Sequence, residues 1–354
     1  MKQRIHWIDI YKGFFILMMV WGHIPSMAAS HGLDNTNLMK CLQISSIYTC
    51  FFMQGFFILT GYTSNFERGF KDYCIGIFKS LVIPWISFSL LSRLIGVVIF
   101  NQTLFDHIGQ NEYFFLIEDY WFLHALIFSK LLYYFIRKYL KTDITRFVVL
   151  LIITLCGFYS IEYYYDKGVS NAYHAYNYLH YKDFLCMIIF LWIGDILKRK
   201  NLICKITGPK TLGLLSCFYL ACQVLKFWLR AKSIDILEIC PVILSHGGNI
   251  CSITQIPAYL LITTSGCLVC FGICKYISQC NLLEYYGSNS LVVYCSHFLL
   301  LDIFISIVNI GIYPNSVVSS IIYSMFILFL TIAACTILIL LTKRKPFCYL
   351  MGKF

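Results

Sequence analysis

A histidine stands near the middle of an apolar run that is long enough to cross a membrane. The run KGFFILMMVWGHIPSM covers residues 12–27 and contains His23, while Lys12 and Asp9 lie at its amino-terminal end. Hydrocarbon penalises a polar imidazole, so a histidine at this depth needs either a partner or a chemical role. An imidazole can take up and release a proton near neutral pH. His23 is therefore the first candidate catalytic residue.

Helical geometry relates these three polar residues to one another. Lys12 and His23 are eleven residues apart, so at about 100° per residue their side chains point within about 20° of each other around the helix axis. They are separated along the axis by roughly 16 Å, and Asp9 is roughly 21 Å from His23. Asp9 therefore cannot orient His23 directly. We expect the three residues to mark different depths of one polar path, with Asp9 holding Lys12 or Arg4 at its inner end.

Other polar residues also fall within apolar runs. Arg93, His124 and His297 are examples, and such groups are costly unless they are paired or hydrated. Each has a simpler interpretation too, because an arginine can extend toward the interface and a buried histidine can bond neighbouring helices together. Pro25 lacks a backbone donor, which predicts a kink or a freed carbonyl beside His23.

The composition is that of a membrane protein. Of the 354 residues, 59% are hydrophobic and 13% are charged, and the mean hydropathy is +0.73. Soluble globular domains carry about a quarter charged residues and fewer apolar ones. The net charge of +11 needs no nucleic-acid partner, because membrane proteins keep Lys and Arg in their cytoplasmic loops. The sequence predicts an all-α polytopic protein whose partner is the lipid bilayer.

Apolar runs of the required length predict about ten transmembrane helices. They lie near residues 11–30, 42–62, 76–100, 114–136, 147–163, 184–198, 211–229, 254–274, 288–310 and 317–342. With a cytoplasmic N-terminus, most Lys and Arg residues outside these spans fall in cytoplasmic segments, as the positive-inside rule requires. Both termini are then cytoplasmic. The sequence predicts one domain over residues 1–354 in the cell membrane, with the first run kept as a helix rather than cleaved as a signal peptide.

Cysteine-rich and tyrosine-rich segments each allow two interpretations. The run CLVCFGICK (267–275) has cysteines on one helical face; without nearby His or carboxylate ligands, we interpret them as small apolar groups and predict no metal site. The loops EYYYDKGVSNAYHAYNYLHYKDF (162–184) and EICPVILSHGGN (238–249), the second with His246 and Asn249, would be extracellular. They are either interfacial aromatic belts or a platform for sugars.

Five segments resemble motifs of one known family. WIDIYKGFFILMMVWGH resembles the first-helix motif of the acyltransferase 3 family, particularly its fucose 4-O-acetylase-like members, in which an Asp precedes Lys-Gly or Arg-Gly and a later Gly-His. The matching residues here are Asp9, Lys12, Gly13, Gly22 and His23. Later segments resemble further family motifs in the same order, namely FFMQGFFILTGY, KSLVIPW, DYWFLHALIF and GSNSLVVYCSH. The resemblance covers nearly the whole chain and agrees with the ten predicted spans.

This sequence departs from the family pattern at two places. The histidine and the proline of the family's second-helix motif are Phe52 and Gln54 here, so no second-helix histidine is available. The paired basic residues before the third helix are reduced to Lys79, with Arg68 and Lys71 farther upstream.

The resemblance implies transfer of an acyl group, usually acetyl from acetyl-CoA, to a hydroxyl of a cell-surface glycan or lipid-linked saccharide. His23 would act as general base or transient acyl carrier, with Asp9 and Lys12 as the other catalytic residues. The CoA phosphates would bind a set of cationic residues at the cytoplasmic end of the helices. The acceptor would bind a second set of polar residues. These groups are Lys12, Arg68, Lys71 and Lys79 for the donor, and Trp121, His124, Arg93 and His297 for the acceptor. Acetyl-CoA is a donor substrate, and we expect no permanently bound cofactor.

Three alternatives remain open at the level of sequence. The chain could be a sugar or lipid transporter, or a flippase, with His23 in a proton relay, although no repeated half is visible. It could belong to another class of multi-pass acyltransferase with a membrane histidine. A sensor or scaffold role is the third alternative.

Overall fold

The computed structural model describes residues 5–33, 51–100, 120–166, 181–231, 256–277, 279–308, 314 and 316–353. In these ranges the chain forms helices and turns and no strand, which confirms the predicted all-α class. The chain divides into two compact units. Unit 1 comprises residues 1–49, 76–120 and 277–354, and unit 2 comprises residues 50–75 and 121–276. One domain over residues 1–354 stays a prediction.

The helices are named here in chain order. They are α1 (His6–Ser30), α2 (Phe52–Thr63), α3 (Phe70–Ile77), α4 (Ile83–Phe100), α5 (Trp121–Tyr139), α6 (Asp143–Asp166), α7 (Tyr181–Arg199), α8 (Leu202–Ile206), α9 (Pro209–Ala231), α10 (Ile256–Tyr276), α11 (Asn281–Ser288), α12 (Ser290–Val308) and α13 (Val317–Leu341). A π-helical turn (Phe78–Val82) joins α3 to α4, and a 3-10 helix (Phe347–Met351) follows α13.

Six helical segments within the described ranges are long and apolar enough to cross a membrane, which supports a multi-pass membrane protein. They are His6–Ser30, Phe70–Val98, Asp143–Ile161, Ile256–Tyr276, Ser290–Val308 and Val317–Leu341. Among the other predicted spans, 42–62 lies partly outside the described residues, and 211–229 coincides with a shorter apolar helix, Pro209–Leu225. The span 184–198 coincides with α7, whereas 114–136 lies partly outside the described residues and is helical in α5. Both helices carry several charged side chains. The number ten and the cytoplasmic termini stay predictions.

Two boundaries differ from those expected. The ninth predicted span, 288–310, is interrupted at Asn289, whose side-chain amide donates to the Tyr285 carbonyl at 2.7 Å and so competes with helical bonding. The third predicted span, 76–100, is helical from Phe70. Its π-helical turn precedes Pro84, which cannot donate a backbone bond to the Ser80 carbonyl, and π turns accommodate such a loss.

Unit 1 is organised by close packing of α1 against α11. A Cβ atom at Gly13 would collide with the backbone carbonyl of Leu283, and one at Gly287 would collide with the carbonyl of Asp9. The two glycines therefore let the two backbones approach closely from both sides, as small residues do between membrane helices. This packing gives a structural reason for the glycine that follows Lys12.

We expect Gly287→Ala to lower the thermal unfolding midpoint of the detergent-solubilised protein. The added methyl group must displace backbone, and such overpacking costs about 1–3 kcal/mol. Gly76→Ala is the matched control, since a Cβ atom there meets nothing within 4 Å. Equal midpoints for Gly287→Ala and the wild type, measured by fluorescence-detected melting, would contradict the close approach.

Unit 2 is organised around α7, which packs against α2, α5 and α6. The stretch Met187–Leu191 within α7 is fully buried, as expected where a helix is apolar on all sides. Gly61 lies against the Leu191 carbonyl and Gly194 against the Ile58 carbonyl, again without room for a Cβ atom. α2 and α7 thus repeat the reciprocal glycine packing of unit 1.

An ionic network fastens one end of unit 2. Its centre is Asp195 of α7, whose Oδ2 accepts bonds from the Tyr133 hydroxyl at 2.8 Å, Arg199 Nε at 2.9 Å and Arg137 Nε at 3.1 Å. Arg199 also pairs with Asp143 of α6 at 2.6 Å. The network therefore ties α5, α6 and α7 together where all three have charged residues.

Candidate functional site

His23 lies in unit 1 beside a second histidine. Its ring centroid is 5.4 Å from that of His297 and 4.6 Å from that of Phe298, both on α12. The His23 side chain is half-buried, whereas Ile24 and Pro25, which follow it, are buried. His23 is therefore partly accessible at the surface of unit 1.

His297 is held in one orientation by the backbone. The residue is fully buried, and its Nδ1 lies 2.6 Å from the Tyr294 carbonyl oxygen. A carbonyl only accepts hydrogen bonds, so Nδ1 must carry the proton and, in the neutral ring, Nε2 carries the lone pair. Nε2 is buried and has no hydrogen-bond partner among the described residues. The result is an oriented, desolvated acceptor close to the His23 ring.

Two tyrosines extend the aromatic contacts on the side of His297. The Tyr294 ring centroid is 5.8 Å from that of His297 and 6.2 Å from that of Tyr120. The Tyr120 hydroxyl donates to the Cys295 carbonyl at 2.7 Å, which satisfies a buried polar group next to the histidine turn. Tyr120 and Tyr294 come from DYWFLHALIF and GSNSLVVYCSH, so two segments singled out in the sequence meet in space.

α1 and α12 run side by side in the same direction. His23 is next to His297, and farther along both helices His31 is next to Asp302, with Nε2 and Oδ1 2.6 Å apart. α1 continues as an α-helix through Pro25, and the Ser26 hydroxyl donates to the His23 carbonyl at 3.0 Å. Pro25 deprives the Trp21 carbonyl of a donor and not that of His23, so the expected kink or freed carbonyl stays a prediction.

Asp9 and Lys12 lie toward the other end of α1. Both are half-buried, and the Asp9 carboxylate attracts the Lys12 ammonium group electrostatically. His6, three residues before Asp9, pairs with Glu284, and its Nδ1 lies 2.8 Å from the Glu284 Oε2. Arg4, the alternative partner expected for Asp9, lies outside the described residues. The catalytic assignment of Asp9 and Lys12 stays a prediction.

The remaining predicted cations divide between the units. Lys79 is exposed in the π-helical turn of unit 1, and Arg93 is half-buried in α4 of the same unit. Arg68 and Lys71 are exposed in unit 2, where the Tyr134 hydroxyl donates to the Arg68 carbonyl at 2.8 Å. Their grouping with Lys12 around CoA stays a prediction.

Two of the predicted acceptor residues, Trp121 and His124, belong to α5 of unit 2. Trp121 is half-buried, and His124 is buried with an exposure of 3%. Their grouping with His297 and Arg93 in one pocket stays a prediction. Most of the tyrosine-rich loop, residues 162–184, and the loop with His246 and Asn249 lie outside the ranges that the structure describes.

Some features of the polar residues were not predicted from the sequence. Asp302 is an acidic residue inside a strongly apolar run, which is itself a recognised signal of function. Lys182 was assigned to an outer loop, yet it lies fully buried with Asp183 in the first turn of α7. The tautomer of His297 depends on a backbone carbonyl one helical turn away, which no sequence pattern reveals.

Cysteines of the run 267–275 take part in the packing of unit 2. Cys267 and Cys274 are buried, and Cys267 Sγ donates to the Phe51 carbonyl at 3.2 Å. Within the described ranges, no three His, Cys, Asp or Glu side chains are arranged to hold a metal ion. Cys267 thus contributes a buried contact within unit 2.

Comparison with known proteins agrees with the resemblance seen in the motifs. A family model described as an acyltransferase domain matches residues 5–340, nearly the whole chain. No curated protein and no solved structure matches the chain.

Proposed function

The chain belongs to the acyltransferase 3 family of membrane proteins, and on this premise we propose that it is an O-acetyltransferase of the cell membrane. It moves an acetyl group from cytoplasmic acetyl-CoA to a hydroxyl of a cell-surface or lipid-linked glycan. The observation that supports this proposal is the pair formed by half-buried His23 and fully buried His297, 5.4 Å apart between ring centroids.

In the direct route, His23 is the general base. It takes the proton from the acceptor hydroxyl while the oxygen attacks the thioester carbonyl, so an O–H bond breaks and a C–O bond forms. The tetrahedral intermediate then expels the CoA thiolate, and protonated His23 returns the proton to that sulfur. The products are the acetyl ester and CoA, and His23 is regenerated.

In the second route, His23 carries the acetyl group. A neutral imidazole nitrogen attacks the thioester, and the CoA thiolate leaves and takes the proton from the other ring nitrogen. The acceptor hydroxyl then attacks acetyl-His23, the acyl–nitrogen bond breaks, and the hydroxyl proton returns to the released imidazole. The two routes are separated by kinetics, because only the second allows a burst of CoA release without acceptor.

His297 Nε2 accepts a hydrogen bond in both routes from a hydroxyl of the acceptor sugar next to the one that reacts. The direction of its lone pair is set before the substrate enters, by the bond from Nδ1 to the Tyr294 carbonyl. The bond places the acceptor beside His23 and satisfies a buried nitrogen that otherwise costs free energy.

The donor approaches from the end of α1 that holds Asp9 and Lys12. Lys12 is eleven residues before His23, roughly 16 Å along the helix, so an extended pantetheine arm bridges the CoA phosphates and the thioester. Asp9 holds the Lys12 ammonium group in place, and Lys12 meets the CoA phosphates.

The parallel course of α1 and α12 supports the ten-span arrangement. Two parallel spans need an odd number of spans between them, and the first and ninth of ten satisfy this requirement. Both termini are then cytoplasmic, as the positive-inside rule also favours.

The proposal is tested on the glycan itself. Surface glycan is prepared from cells that make the protein and from the same cells after removal of its gene, and ester-linked acetyl groups are measured by mass spectrometry. We expect acetyl esters to disappear with the gene. Unchanged acetylation with a reduced amount of surface glycan would instead indicate a transporter.

We expect His297→Phe to weaken transfer by about tenfold, which is the effect of losing a hydrogen bond of roughly 1.4 kcal/mol. Phenylalanine keeps the aromatic contacts with His23 and Phe298 but removes the acceptor nitrogen. The loss should appear in kcat/KM for the acceptor, measured with purified protein and radiolabelled acetyl-CoA. His6→Phe, the same replacement at a half-exposed histidine, is the control, and equal effects of both changes would refute the role of Nε2.

A further inference from the structure

Three polar side chains meet at the end of α1, away from the His23–His297 pair. His31 Nε2 lies 2.6 Å from Asp302 Oδ1, and Ser306 Oγ lies 3.5 Å from His31 Nδ1. The Ser306 hydroxyl also donates to the Asp302 carbonyl at 2.8 Å. We call these residues the His31–Asp302 cluster, which consists of His31, Asp302 and Ser306.

Local structure builds the cluster. His31 directly follows α1, and its backbone N–H bonds to the carbonyls of Met27 and Ala28. Gly32, with a φ of +81°, then turns the chain out of the helix, as glycine does at helix ends. Asp302 and Ser306 are four residues apart on α12 and so share one helical face. The imidazole is thereby fixed against that face.

Stabilisation of the fold does not by itself explain the His31–Asp302 cluster. The side chains of His31 and Asp302 are 27% and 31% exposed, and ion pairs at such sites contribute little to stability. A carboxylate is also costly in α12, which is apolar enough to cross a membrane. The half-exposed cluster is better explained by a ligand that uses it.

The chemistry of the cluster fits a saccharide and not the donor. The Asp302 carboxylate has lone pairs besides the one that His31 uses, and the Ser306 oxygen can accept although its proton is donated to the Asp302 carbonyl. These acceptors, held in place by His31, suit the adjacent hydroxyls of a sugar ring. The negative charge of Asp302 would repel the phosphates of CoA, which need cationic partners.

The spacing along the two helices decides which part of the acceptor binds. His31 is eight residues beyond His23, and Asp302 is five residues beyond His297, which correspond to rises of about 12 Å and 7.5 Å. A sugar on the cluster is therefore too far away to be the one acetylated. We propose that the His31–Asp302 cluster binds a neighbouring sugar unit of the acceptor, so that the preferred acceptor is an oligosaccharide. This inference rests on the proposed function.

The test varies the length of the acceptor. Surface glycan from cells without the gene is hydrolysed and separated into mono-, di-, tri- and tetrasaccharides, which serve as probes with purified protein and radiolabelled acetyl-CoA. We expect Asp302→Asn to raise KM about tenfold for the longer probes and to leave transfer to the monosaccharide unchanged. Ser306→Ala should act in the same direction with a smaller effect. Melting curves identify any variant that is not folded.

Glu284→Gln is the matched control, because Glu284 is also paired with a histidine, His6, but at the opposite end of α1. It should leave the dependence on acceptor length unaltered. Equal losses for every probe length, or no loss with either cluster variant, would overturn the inference while leaving the proposed function intact. Failure of the wild type to acetylate any probe would overturn both.

Discussion

The purified His23→Gln protein is expected to transfer acetyl groups about 10²–10⁴ times more slowly than the wild type, the range by which a general base accelerates a reaction. Glutamine occupies a similar volume and remains polar, but it neither takes a proton at neutral pH nor forms an acyl intermediate. The loss should fall on kcat, since His23 is proposed to act on the reacting atoms. Transfer is measured in detergent with radiolabelled acetyl-CoA and the oligosaccharide acceptor.

The matched control is His6→Gln, which removes a histidine from the same helix at a half-exposed position. It should retain nearly all of the activity. If His23→Gln and His6→Gln were equally active, His23 would be a packing residue and the catalytic assignment would be wrong. Melting curves of both variants separate loss of chemistry from loss of folding.

The largest effect on stability is expected for Asp195→Ala. The Asp195 side chain is only 6% exposed, and its carboxylate accepts three bonds, from Tyr133, Arg137 and Arg199. Removing it leaves the buried Tyr133 hydroxyl without its acceptor, and Arg137 keeps only a long pair with Glu67, at 3.8 Å. Breaking a buried ion pair in this way costs about 3–5 kcal/mol. We expect a markedly lower thermal midpoint in detergent, together with a lower yield of folded protein.

Asp72→Ala provides the comparison, because Asp72 is an exposed acid in the first turn of α3. Its replacement should shift the midpoint little, as exposed charges contribute little to stability. Similar midpoints for Asp195→Ala and Asp72→Ala would show that the network does not fasten α5, α6 and α7.

The helices and the family were predictable because they depend on local patterns. Long apolar runs predict helices in any membrane protein, and the order of five motifs carried the assignment that the family model confirms. His23 stood out for the same reason, since one polar side chain in an apolar run is visible without a structure.

The partners of these residues were not predictable from one sequence. The pairing of His23 with His297 depends on how α1 and α12 pack, and the separation of those residues along the chain hides it. Asp302 carried a visible signal that was overlooked, whereas the bonds of Asp195 to Tyr133 and Arg137 depend on how α5 packs against α7. The break at Asn289 depends on a side-chain bond that competes with the helix.

The proposed function requires that the His23 imidazole, inside the bilayer, join a donor and an acceptor that stay in different compartments. This requirement is tested in sealed proteoliposomes with the oligosaccharide acceptor trapped inside and acetyl-CoA added only outside. We expect acetylated oligosaccharide in the lumen with the wild type and none with His23→Gln, while a trapped dye confirms that the vesicles are sealed. Product that forms only when both substrates share one compartment would show that His23 does not join the two.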